Sequence, residues 1–149
     1  MSTSSVAWVQ PAPFRALLGH LEARTGLEPA VLAVLAGVPT GLVLSLLHGH
    51  GGRPLRRMHR ECAERLLKLT PEKVQRAVAT HCDGAVTTRR LRRLIELGLR
   101  LDDIATHVQV SSAEVRSLAS GRAFVSRLVM ARVAVLLESV ERPLASRAA

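Results

Sequence analysis

Apolar residues recur along this chain at helical spacing and are punctuated by proline and glycine. Phe14, Leu17, Leu18 and Leu21 stand at i, i+3, i+4 and i+7, one face of a helix that Pro11 and Pro13 open and Gly26 ends. Pro29 opens a second helix, whose Leu32, Ala33 and Ala36 lead to a turn at Gly37, Val38 and Pro39. A short helix follows from about Thr40 to Leu47, and Gly49 closes it. Three glycines and a proline between His48 and Pro54 make that stretch a loop. The next helix is predicted over Arg56 to Leu69 with Met58, Cys62, Leu66 and Leu69 inward, and Thr70 caps another that starts at Pro71 and reaches toward His81. Asp83 and Gly84 mark the break between two halves. Beyond them Thr87 caps a helix through Leu91, Leu94 and Ile95 that stops at Gly98, and Asp102 and Asp103 favour the start of its successor. Ser111 with Glu114 makes a capping box for a further helix ending at Gly121. The last runs from about Ser126 to Val140 and buries Val129, Val133, Leu136, Leu137 and Val140. No stretch alternates over the length of a strand, so the expected fold class is all-α.

The two halves share a pattern. The segment from Gly26 to Gly49 returns 72 positions later as Gly98 to Gly121, with eight residues unchanged: Gly26/Gly98, Leu27/Leu99, Ala33/Ala105, Val38/Val110, Val43/Val115, Ser45/Ser117, Leu46/Leu118 and Gly49/Gly121. Roughly two matches would arise by chance in such a window, so one supersecondary unit is used twice. A small Ala in one helix, a tight turn at Val, and a second short helix with Val and Leu three apart describe a helix-turn-helix. The expected organisation is a flexible tail over 1–10, a first unit with basic helices over 11–82, a second unit over 83–142, and a flexible tail over 143–149.

Composition narrows the partner. The chain is 48% apolar, ample for a core, and 2% aromatic, with no Tyr, one Trp and two Phe. Holding single-stranded nucleic acid on aromatic platforms is therefore nearly excluded, and a nucleic-acid partner is expected to be double-stranded DNA. The net charge of +9 is concentrated: from Arg53 to Arg93 twelve cations face only Glu61, Glu64, Glu72 and Asp83. Such a band suits a track of phosphates, and it equally suits a solvated basic surface. Arg outnumbers Lys nineteen to two, which favours bidentate phosphate contacts and also reflects a genome rich in G and C.

The second copy, Ile104 to Gly121, resembles the lambda-repressor and Cro family of phage-type repressors at Ala105, Val110, Ser111, Val115, Leu118 and Gly121. With its flanking helices the resemblance covers about residues 87 to 140. It implies a DNA-binding transcriptional regulator whose second helix enters the major groove, braced by the first. Carried over residue by residue, the base-reading positions are Ser112, Ala113 and Ser117, joined by Ser111 and Arg116, with Thr40 and Ser45 as counterparts in the first copy. The family's usual Gln at the start of the reading helix is Ser112 here, which cannot pair bidentately with adenine. Phosphate contacts are expected from Arg53, Arg56, Arg57 and Arg60 around the first copy, and from Arg89, Arg90, Arg93 and Arg122 around the second. Arg89, Arg90, Arg92 and Arg93 spread over most of a helix circumference, so two of the four are expected to serve.

The first copy departs further, because Leu42 and Leu44 occupy the places of Glu114 and Arg116. Two leucines on an exposed face imply burial against the other half, against a second subunit in a homodimer, or against thymine methyls. A protein-interaction module of antitoxin or adaptor type, docking a partner through those leucines, is the rival reading. His59, Cys62, His81 and Cys82 match no common zinc spacing, so neither metal nor cofactor is expected. Nucleophile elbow, phosphate-binding glycine loop and isolated carboxylate pair are all absent, and no enzyme is expected. Pro29 to Gly52 is uncharged, but Gly37, Pro39 and Gly41 interrupt it short of the ~20 residues that cross a bilayer. Two cysteines and no visible signal peptide point to the cytoplasm, with the nucleoid as the expected address.

Overall fold

Proline, glycine and small polar caps place most helix ends where the pattern predicts them. The computed structural model describes residues 7–148, and its class is all-α. In order the elements are β1 (Trp8–Val9), α1 (Ala12–Thr25), α2 (Pro29–Ala36), α3 (Thr40–His48), β2 (Met58–His59), α4 (Arg60–Leu67), α5 (Pro71–Ala79), β3 (His81–Asp83), α6 (Ala85–Glu96), α7 (Leu101–Val108), α8 (Ser112–Gly121), β4 (Phe124–Ser126) and α9 (Arg127–Ala148). The chain divides into two compact units, Met1–Gln75 and Arg76–Ala149, and α5 carries the backbone from one to the other.

Each unit runs strand, three helices, strand, helix. In the first, β1 pairs antiparallel with β2, Trp8 opposite His59 and Val9 opposite Met58. In the second, β3 pairs antiparallel with β4, Cys82 opposite Val125. The amide of Arg60 donates to the Ala7 carbonyl at 2.7 Å, and that of Arg127 donates to the Thr80 carbonyl at 3.0 Å, extending both ladders by the same bond. The duplication is thus longer than the sequence match. Leu18 and Leu91, Met58 and Val125, and Leu66 and Val133 take corresponding buried places in the two cores.

Several expectations are corrected. Residues 8–9 of the expected N-terminal tail form β1, and α9 continues through the expected tail to Ala148. Residues 1–6 and 149 lie outside the described residues. The division between units falls after Gln75 rather than at Asp83, because β3 is hydrogen-bonded to β4 and belongs to the second unit. Thr87 caps nothing; α6 begins two residues earlier, where the Asp83 carboxylate accepts from the Ala85 amide at 2.9 Å. The helix expected from Arg56 starts only at Arg60, since Met58 and His59 are drawn into β2.

Both helix pairs close on the same bond. The Val38 amide donates to the Ala33 carbonyl at 3.0 Å and the Val110 amide to the Ala105 carbonyl at 3.1 Å. Ala33 and Ala105 are buried, and their methyls let the helices approach. The bend needs a left-handed residue after the first helix: Gly37 at φ 77° in one copy, Gln109 at φ 61° in the other. Gly37 adopts it freely, whereas Gln109 pays a steric cost at its Cβ. The units differ most after the second helix of the pair. Nine positions separate Gly49 from Met58 and four separate Gly121 from Val125. The surplus forms a tight turn in which His50 and Arg53 exchange amide–carbonyl bonds of 2.8 and 3.2 Å around Gly51 and Gly52, both at positive φ.

Candidate nucleic-acid interface

In the second unit α8 is fixed at its start by Ser111, whose Oγ accepts from the Glu114 amide at 3.1 Å. The Ser112 hydroxyl donates to the Asp102 carboxylate at 2.5 Å, tying the first turn of α8 to the first turn of α7. Val115 and Leu118 lie in the core. What remains outward is Ala113, Arg116 and Ser120, with Ser117 half-buried beside them: i, i+3, i+7 and i+4 on one stripe. Ser120 folds its hydroxyl back onto the Ser117 carbonyl at 2.8 Å. Arg116 is exposed and makes no hydrogen bond or ion pair with the described residues. The stripe is low apart from that one cation, so a flat or convex partner can approach the backbone of α8 closely.

The capping box is half made. The Glu114 carboxylate turns away from the Ser111 amide and takes the Arg122 guanidinium at both oxygens, while Arg122 Nη2 also donates to Ser117 Oγ at 2.9 Å. Arg122, expected as a phosphate contact, has its fork filled by a carboxylate within the unit. Ser112 is corrected as a free base reader, because Asp102 holds its only proton. Asp102, bonded to Ser112, and Glu114 bring negative charge to the first turn of α8, and Asp103 stands beside Asp102 in the first turn of α7.

On α6 the four arginines separate by role. Arg93, expected as a phosphate contact, pairs with Glu96 at 3.5 Å and with Glu141 at 3.3 Å at the surface. Arg90 is half-buried. Arg92 donates from Nε to the Ala119 carbonyl at 2.9 Å, and its neighbour Thr88 donates to the Leu118 carbonyl at 2.8 Å, so the last turn of α8 is satisfied from α6. Arg89 is exposed and makes no ion pair among the described residues. With Arg92 and Arg122 it lines a cavity of about 380 Å³ against Thr88, Asp83 and Gly121. Arg92 was one of the four α6 arginines of which two were expected to serve. Its spacing of three from Arg89, one turn along α6, is the signal that picks out this pair.

The first unit does not repeat this surface. Thr40 is 7% exposed and is corrected as a base reader, since a side chain covered by its own unit reaches no base. Ser45 is half-buried. Leu42 and Leu44 are half-buried rather than exposed, and Leu42 packs on the unit's own core with Leu47 and Leu55. The unit's basic residues lie elsewhere. Arg53, Arg56, Arg57 and Arg60 are exposed along the long loop and the start of α4. The Arg57 guanidinium sits 4.6 Å from the centre of the Trp8 ring, and Trp8 meets His59 edge-on at 5.7 Å. This cluster holds β1 and β2 together at the surface.

Among the described residues no group of three or more His, Cys, Asp or Glu could hold a metal ion, and no helix is long and apolar enough to cross a membrane. Compared with known proteins, the chain matches no family model, no curated protein and no solved structure.

Proposed function

We propose that the protein binds double-stranded DNA as a transcriptional regulator, with α8 of the second unit lying in the major groove. The observation that carries this reading is the outward stripe of α8. Ala113, Ser117 and Ser120 keep the helix surface low, and Arg116 stands from it with none of its five donors engaged by the described residues. A groove about 12 Å wide admits a helix of that profile, and a lone arginine among small residues reaches guanine O6 and N7 bidentately. The resemblance of Ile104 to Gly121 to phage-type repressors, the net charge of +9 and the duplicated helix pair support the same reading.

Arg53, Arg56, Arg57 and Arg60 of the first unit then neutralise phosphates, with α3 serving as scaffold because Thr40 is buried and Leu42 and Leu47 pack on the unit's own core. A regulator of this kind acts at the nucleoid and needs neither cofactor nor catalysis. The rival, a protein-interaction module, draws on the acidic surroundings of α8, where Asp102, Asp103 and Glu114 lower the attraction to DNA. Anisotropy measurements with a labelled duplex and with each of its single strands test the reading. Preference for the duplex is expected, since 2% aromatic content gives unpaired bases little to stack on. Equal or tighter single-strand binding, or no binding of either at low salt, contradicts it.

A further inference from the structure

We propose that the cavity between α6 and the turn that joins α8 to β4 is a phosphate-binding pocket, with Arg89 and Arg92 as its donors and Arg122 as its wall. It lies on the second unit beside the last turn of α8, whereas the groove-reading stripe proposed above begins at the first. The cavity, about 380 Å³, is a shallow concavity open to solvent.

The charge balance in the pocket is one-sided. Three guanidinium groups line it; Glu114 neutralises that of Arg122, which leaves Arg89 and Arg92 against a single lining carboxylate, Asp83, one oxygen of which already accepts from the Ala85 amide at 2.9 Å. Two of the carbonyls that α8 leaves open at this end, those of Leu118 and Ala119, are taken by Thr88 and by Arg92 Nε. Among the described residues, neither the Nη groups of Arg92 nor the guanidinium of Arg89 meets an acceptor. Donors three residues apart on one helix turn, aimed at one concavity and lacking acceptors, match the oxygens of a phosphate group. Glu114 already demonstrates the mode on Arg122, whose fork a planar anion fills.

The phosphate can come from a duplex backbone or from a free phosphorylated molecule, and the inference does not rest on DNA binding. Calorimetric titration of the full chain with inorganic phosphate, in chloride buffer of matched ionic strength, is the test. Saturable binding is expected, weakened roughly tenfold in Arg89→Ala, which removes a charge-assisted donor from a residue that holds nothing else in place. Arg92→Lys serves as the second variant: it keeps the charge, loses the fork, and is expected to weaken phosphate by a smaller factor while circular dichroism reports an intact fold. No saturable phosphate binding, or identical binding by Arg89→Ala, overturns the pocket even if duplex binding persists. Displacement of phosphate by a duplex of about 20 base pairs assigns the site to a backbone phosphodiester, a span two turns long. Simultaneous binding of both assigns it to a free phosphorylated ligand.

Discussion

The Thr88 hydroxyl donates to the Leu118 carbonyl at 2.8 Å, buried between α6 and the end of α8. Arg15 performs the same office in the first unit, its Nε donating to the Leu46 carbonyl at 2.7 Å. The first helix of each unit thus ties down the last turn of the third, by different chemistry at corresponding places. The neighbouring Thr87 is fully buried, and its hydroxyl has no partner among the described residues. Thr88→Val is expected to cost about 1–2 kcal/mol, since it orphans a buried acceptor, and Thr87→Val to stabilise by up to about 1 kcal/mol by removing a desolvated hydroxyl. Urea denaturation of the two variants checks this. Equal effects of the same sign contradict the assignment.

The turns between the paired helices predict a second asymmetry. Gln109 holds a left-handed backbone that Gly37 adopts in the other copy, and the space around Gly37 is open. Gln109→Gly is expected to stabilise the second unit by about 0.5–1 kcal/mol, and Gly37→Ala to destabilise the first by about 1 kcal/mol through backbone strain alone. Thermal unfolding of each variant reads the sign directly.

Glu114 restrains the charge of the second unit. In Glu114→Gln the carboxylate no longer neutralises Arg122, and one negative charge leaves the border of the outward stripe. Duplex affinity is expected to rise, and the slope of log affinity against log salt to steepen by about one phosphate contact, roughly 0.9. An unchanged slope means that Arg122 stays clear of the backbone even when released. The variant separates intramolecular neutralisation from mere distance.

Helix boundaries were legible because they depend on local chemistry: Pro29 and Pro71 start helices, and Gly26, Gly37 and Gly49 stop them wherever they occur. The four strands were not, because two or three residues such as Trp8–Val9 carry no period to read. The repeat exposed the helix pairs but understated its own extent, since Met58 and Val125 fill one place with different side chains. Site residues were the least legible. Thr40 and Ser112 correspond in sequence, yet burial removes one and Asp102 engages the other. Arg93 and Arg122 look free in the chain until Glu141 and Glu114, 48 and 8 residues away, close on them. Arg89 and Arg92 acquire a shared purpose only when the turn after α8 completes their cavity.

The central claim is that Arg116 and the small residues around it face a DNA groove. Duplex affinity of the wild type and of Arg116→Ala, measured by anisotropy over a salt series on a selected site, tests it most directly. Wild-type affinity should fall steeply with salt, and Arg116→Ala should lose about 1–3 kcal/mol at fixed salt together with its preference among sequences. Salt-independent binding, or an Arg116→Ala protein that binds and discriminates as the wild type does, contradicts the account.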